Sequence, residues 1–302
     1  MWGVFGKILL AFCLVAVGQD ALAGERTRLR YVTTIYVDDK GASLRQPEGV
    51  ACDDKSTLIV GDTANNRLVR YTVEERAVKP AGEIRTAELT NPIRLQLNSK
   101  GEIFALDGKQ RRIARFGGGG EFKGFVTPEG IPSPATVVPR SFKIDRTDNL
   151  HILDVFSNRV LVLDPQGKYQ RHLAFPKDVG FISDLVVDFK GAIFLLDSVN
   201  AIVSVAAKDA KGFSPLTKSL REHLSFPTSI TADGRGVLYL VDENGGGVVI
   251  VGQDGSFLGR QLAMGWTEGL LYYPSQMCLT EKGAVFIADR GNSRVQFFSI
   301  VR

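Results

Sequence analysis

Six carboxylates recur at the ends of apolar runs: Asp62 after LIVG, Asp107 after EIFAL, Asp154 after HIL, Asp197 after IFLL, Asp242 after LYLV and Asp289 after VFIA. A carboxylate in such a place is a general acid or base, a hard-metal ligand, or an anchor for turn amides, and spacing decides which. The six stand 45, 47, 43, 45 and 47 residues apart. One copy per repeat reads as structure: each accepts hydrogen bonds from turn amides and pairs with an arginine five residues on. That arginine is present as Arg67, Arg112, Arg159 and Arg294, whereas Ile202 and Gly247 take its place in the fourth and fifth copies.

A period of about 40 to 50 residues holding several short strands denotes one propeller blade per repeat. The third period shows the parts, SFKID, DNLHILD and RVLVLD, then the turn Pro165-Gln166-Gly167 and KYQRHLAF. These are four antiparallel strands joined by Gly- and Asn-containing turns. A lone blade cannot bury both faces, so six stack around an axis. The sixth ends at its third strand, RVQFFSIV, while LRYVTTIYV (Leu29 to Val37) precedes the first proline and belongs to no complete blade. The expectation is an all-β, six-bladed β-propeller of four-stranded antiparallel blades, closed by an N-terminal strand completing the last blade.

Each aspartate also has proline or a substitute about fifteen residues upstream, at Pro47, Pro92, Pro139, Ile182, Pro227 and Pro274. The frame is clearest in PEGVACDDKSTLIVGDTANNR and PSQMCLTEKGAVFIADRGNSR. It resembles the NHL repeat, the blade unit of a family of exported and other β-propellers, over essentially the whole chain after the leader. Propellers host unrelated activities, so the resemblance implies fold and leaves function open.

Two enzyme types look similar to this fold. Six-bladed lyases of the amidating type hold zinc with histidines at matching repeat positions. Here His151 falls on a core position, His172 on an outer strand and His223 in a linker, which sets no metal site. Lactonase-like propellers hold calcium or zinc with acidic and amide groups at the channel mouth. Glu48 and Asp184 are the candidates, facing the channel from opposite sides, with Asp242 or Asn244 as further oxygen donors. Two hard-oxygen ligands do not make a site. No Gly-x-Ser-x-Gly, HExxH, CxxC pair or calcium-loop pattern occurs, and Gly117 to Gly120 lies between strands as a hairpin tip.

The surface made by strand starts and by the loops after the aspartates is the remaining candidate. It carries Arg94, Lys109, Arg111, Arg112 and Arg140 on the second and third blades, against Asp242 and Glu243 on the fifth. The long connections Thr127 to Val138, Ala210 to Phe226 and Gly259 to Tyr273 are expected at the same end, the last bringing Trp266, Tyr272 and Tyr273.

The first residues, MWGVFGKILLAFCLVAVGQDALAGER, read as a signal peptide over 1–23 with Ala21-Leu22-Ala23 before the cut, and residues 24–302 as a single domain. The formal net charge of +4 and export speak against nucleic acid as partner. Cys52 follows its proline by five residues and Cys278 by four, so the pleat sends them to opposite blade faces and both are expected as buried free thiols.

The sequence thus reads as a periplasmic or secreted, non-membrane-spanning monomer without catalytic residues, metal or cofactor. It would hold an envelope or extracellular protein, peptide or glycan on Arg94, Arg111, Arg112, Arg140, Trp266 and Tyr272. The alternative is a metal-dependent hydrolase or lyase with one Ca or Zn ion in the channel.

Overall fold

In each blade the innermost strand runs down the axis and the next three step outward. Blade 1 consists of Gly49–Cys52, Thr57–Asp62, Arg67–Glu74 and Ala77–Ile84, and blade 4 of Ile182–Val187, Ile193–Asp197, Ile202–Ala206 and the two-residue Ser214–Pro215. The computed structural model describes residues 27–301, and in them six antiparallel four-stranded sheets stand in a ring. The expected leader at 1–23, with Cys13, lies outside the described residues. No helix among the described residues is long and apolar enough to cross a membrane.

Closure follows the expected route. Strand Arg28–Ile35 pairs antiparallel with Arg294–Val301, from Arg28 opposite Val301 to Ile35 opposite Val295, and completes blade 6. Just beyond it Asp38 meets Arg67 of blade 1 at 2.5 Å, and both are buried. Arg67 also pairs with Asp62 at 2.7 Å and with Glu83 at 2.8 Å, and Lys40 bonds Glu83 at 3.0 Å. The N-terminal segment is therefore fastened to the last blade by a sheet ladder and to the first by an ion-pair network.

The six aspartates end the second strands and are almost fully buried. Their oxygens accept the amides of the segment entering the same blade: Arg45 in blade 1, Thr90 and Asn91 in blade 2, Val138, Gly180 and Phe181, Ser225 and Phe226, and Tyr272 in the rest, at 2.6 to 3.1 Å. The arginine five residues on pairs as expected in blades 1, 3 and 6, at 2.7, 3.0 and 2.7 Å. Blade 2 departs from that pattern. Arg112 lies over the Phe125 ring, 3.5 Å from its centroid, while Thr90 and Gln110 serve Asp107. In blade 5 Arg260 of the outer strand reaches Asp242 at 2.8 Å, and in blade 4 Asn200 serves Asp197.

The core fills the gaps between blades. Leu58 and Val60 of blade 1 pack on Phe286 and Ala288 of blade 6, whereas Ile59, on the other face, packs on Ile103 and Ala105 of blade 2. This rule corrects the expectation for the cysteines: Cys52 and Cys278 form a disulfide, with Cα atoms 5.9 Å apart. They do occupy opposite faces of the repeat, opposite Leu58 and Phe286. Rotation about the axis turns the opposite faces of successive blades toward one another, so opposite parity is the condition for meeting. A second correction concerns the long connections. Gly259 to Tyr273 lies at the strand-start end, but Thr127 to Val138 first pairs Glu129 with Lys168 at the far end, and Ala210 to Phe226 supplies the outer strand of blade 4.

A Cys52→Ser/Cys278→Ser protein is expected to stay folded, because strand and ion pairs still close the ring, and to lose about 2–4 kcal/mol in urea unfolding. The Arg67 and Lys40 bonds hold the Glu83 carboxyl down to about 2, from an ordinary 4.5. A depressed carboxylate stabilises the fold above its unfolded pKa and stops doing so as pH falls through the folded one. Glu83→Gln should therefore be less stable than the parent at pH 6, with the gap closing between about pH 4.5 and 2 in thermal unfolding.

Candidate functional site

Six innermost strands around one axis present six open sheet edges to the channel, and buried backbone donors and acceptors need partners there. The side chains two residues after the proline position supply several. Gln276 Oε1 accepts the amides of Val50 (3.2 Å) and Leu95 (3.1 Å), and its Nε2 donates to Leu95 O at 3.0 Å. Asp184 accepts the Ile230 amide at 2.9 Å and the Ser141 hydroxyl, with Lys143 Nζ at 3.9 Å. Arg94 crosses the channel to donate to Ser275 Oγ at 3.1 Å and Thr228 O at 3.2 Å. Burial pushes the Lys143 ammonium below its ordinary pKa, with Asp184 opposing and Arg94 reinforcing the fall. Glycine belongs at position 49, since a Cβ would stand 2.8 Å from Leu95 Cγ.

Asp184, a candidate metal ligand by sequence, is thus committed to a hydroxyl, an amide and an ammonium. Glu48 differs: no hydrogen bond holds its carboxyl among the described residues. Burial raises its pKa, Arg94 and Arg290 pull it down, and Glu243 adds to the rise. Arg290 in turn forms an ion pair with Glu243 between the loops of blades 6 and 5. No group of three His, Cys, Asp or Glu side chains is placed to share a metal among the described residues.

The six sequence-assigned binding residues fall into two places. Arg94 is in the channel. On blade 3, Arg140 lies over the Phe181 ring, 4.0 Å from its centroid, and donates to Ile182 O at 3.3 Å. It makes no ion pair among the described residues. Burial first, and then the charge of Arg111, lower its pKa, so Arg94 aside, Arg111 and Arg140 share a neighbourhood. Arg112 spends its guanidinium face on Phe125. Trp266, 73% exposed, packs on Tyr272, and Tyr272 on Tyr273, with centroids 5.7 and 4.6 Å apart, beside the blade 6 loop. The aromatic group and the arginines therefore do not form one patch.

Sequence reasoning missed Phe156, Phe181 and Val199, which are exposed at 57, 37 and 48% in the mouth-end loops of blades 3 and 4. Phe181 stacks at a tilt on Phe226, 6.1 Å away. A signal was present: two residues after the repeated aspartate, blades 3 and 4 carry Phe156 and Val199, whereas the other blades carry Ala64, Lys109, Asn244 and Gly291. Each stands exposed in the turn of its own blade, and the two turns belong to adjacent blades.

No protein-family model matches the chain, and no curated protein does. Among solved structures it resembles a streptogramin B lyase, at TM-score 0.67 and 12% identity over 91% of this chain and 98% of that one. A gluconolactonase from Xanthomonas campestris matches at TM-score 0.64 and 14% identity, over 90% and 88%. A chain of a nidogen/laminin complex matches at TM-score 0.59 and 17% identity, over 78% and 93%. At such identities these likenesses establish the propeller fold alone.

Taking the Arg94 charge away from Glu48 should raise the Glu48 pKa further. Arg94→Met is expected to move its carboxyl titration upward in ¹³C NMR, with the other mouth carboxylates shifting less.

Proposed function

We propose that the protein is an exported NHL-type propeller that binds an acidic protein segment or glycan on the mouth-end rim of blades 3 and 4. The observation that carries this reading is Arg140. Its cation is half-buried, stacked on Phe181, without an ion pair among the described residues and close enough to Arg111 to feel its charge, while Phe156 and Val199 stand exposed in the mouth-end loops of the same two blades. An arginine held on an aromatic plane is ordered in advance, so little side-chain entropy is lost when a carboxylate or sulfate docks. The surrounding apolar groups lower the local dielectric and strengthen the contact. The channel polar groups are largely occupied with one another, which directs a ligand to the rim.

Export is supported by the apolar leader and by the Cys52–Cys278 disulfide, a bond that persists in oxidising compartments. The chain of the nidogen/laminin complex supplies a propeller neighbour within a protein assembly.

A second reading rests on Glu48, a carboxyl at the channel mouth with a raised pKa and no hydrogen-bonded partner among the described residues. Such a group suits general acid catalysis, and two of the structural neighbours are a lyase and a gluconolactonase. A calcium or zinc ion would need ligands beyond Glu48, since the oxygens of Asp184 are already engaged.

The binding reading is tested on arrays of acidic peptides and of sulfated and carboxylated glycans. A saturable ligand is expected, with Arg140→Glu and Phe181→Ala each weakening it at least tenfold and Glu48→Gln leaving it unchanged. Loss of lactone or ester turnover in Glu48→Gln, with binding untouched by Arg140→Glu, would favour the enzyme.

A further inference from the structure

At the end of the ring away from the mouth, four gaps between blades among the described residues open as clefts whose walls include the residue three before the repeated aspartate. Ile59, Phe104 and Phe286 hold that place in the clefts between blades 1 and 2, 2 and 3, and 6 and 1, with volumes of about 230, 330 and 230 Å³. Between blades 3 and 4 the cleft measures about 480 Å³ and the residue is His151, 4% exposed.

The imidazole is oriented. Nε2 lies 2.9 Å from Asp145 Oδ2, while Asp145 Oδ1 accepts the turn amides of Thr147 and Asn149. Burial raises the Asp145 pKa, but the bonds from His151, Thr147 and Asn149 overcome it and hold the carboxyl well below its usual value. An ionised Asp145 fixes the proton on Nε2. Tyr239 of blade 5, at the same repeat position, likewise reaches its turn carboxylate, Asp233, at 3.4 Å, so the Nε2 bond alone has a structural counterpart. Nδ1 has none: it is buried and makes no hydrogen bond among the described residues. A buried ring nitrogen without a partner, on a residue that lines a cleft, calls for one, because an unsatisfied polar atom carries its full desolvation penalty.

The chemistry of that partner follows from the walls. Arg171, Lys190 and Lys208 line the cleft, and none makes an ion pair among the described residues. Arg146 is spent on Glu281 at 2.7 Å, and Asp188 accepts the amides of Lys190 and Ala192, leaving Asp209 as the remaining acid. Val162, opposite His151 in the sheet, and the exposed Phe189 add apolar wall.

We propose that the cleft between blades 3 and 4 binds a small organic oxyanion. Its charged group accepts a hydrogen bond from Nδ1–H of a protonated His151, is neutralised by Arg171, Lys190 and Lys208, and its apolar part lies on Val162 and Phe189. Because Nε2 already carries a proton toward Asp145, Nδ1 can donate only in the imidazolium form.

Sulfate and benzoate are suitable probes, since both keep their charge between about pH 5.5 and 8. Titration is followed on the full chain by ¹⁵N NMR of the His151 ring. Saturable shifts are expected, with benzoate the tighter ligand. His151→Phe, which installs the residue found at this place in blades 2, 4 and 6, should keep the fold and lose at least tenfold in affinity. Lys208→Ala should weaken binding with the ring intact. Absence of any shift at tens of millimolar probe, or equal binding by His151→Phe, overturns the proposal.

Discussion

A buried carboxylate that cannot find solvent must find donors, and in this ring it finds them in the chain segment that enters its own blade. Asp62, Asp107, Asp154, Asp197, Asp242 and Asp289 each accept one or two amides from residues sixteen or seventeen positions earlier. The amide donors are always available, so the anchor holds whether the side-chain partner is arginine, asparagine or threonine. That bond sets where the innermost strand begins, and hence which side chains reach the channel and which stay on the rim. For Asp107 and Asp197 burial alone would raise the pKa, yet the amide bonds outweigh it and lower it, so both carboxylates stay ionised near neutrality.

The same accounting divides the mouth into two regions. The channel is stitched by Gln276, Asp184 and Arg94, which occupy the open edges of neighbouring innermost strands. These groups have little left for a ligand. Outside them, Arg140 gives a single 3.3 Å bond to Ile182 O and lays its guanidinium on Phe181, and the exposed side chains of Phe156 and Val199 carry no such duties. Beyond the aspartate and its amide donors the blades differ from one another, which is how one scaffold carries a local site.

The periodic signals were legible in the sequence, since burial of both blade faces and of the turn carboxylate imposes them on every repeat. Six blades and closure through Leu29 to Val37 followed from that periodicity. Relations between blades were less accessible. The Cys52–Cys278 bond required the insight that a ring brings opposite faces together, so parity within one blade misled. Asp184 looked free because strand-edge amides of another blade, at Ile230, leave no trace in local sequence. Arg112 kept the repeat position of a partner for Asp107, yet Phe125 on the outer strand offered it a ring instead. Phe156 and Val199 were visible as departures from the loop pattern, but only Phe181 beneath Arg140 shows why they matter.

If the carboxylates position the rim, removing one should loosen the rim of that blade and little else. Asp197 is the most informative, because its oxygens hold the amides of Gly180 and Phe181 at 2.8 and 3.1 Å, and Phe181 carries Arg140. Hydrogen–deuterium exchange of Asp197→Ala should show exchange at residues 180–182 and 198–200 accelerated about tenfold or more, with blades 1 and 6 unchanged. Unaltered protection at residues 180–182, or loosening spread evenly around the ring, would contradict the account.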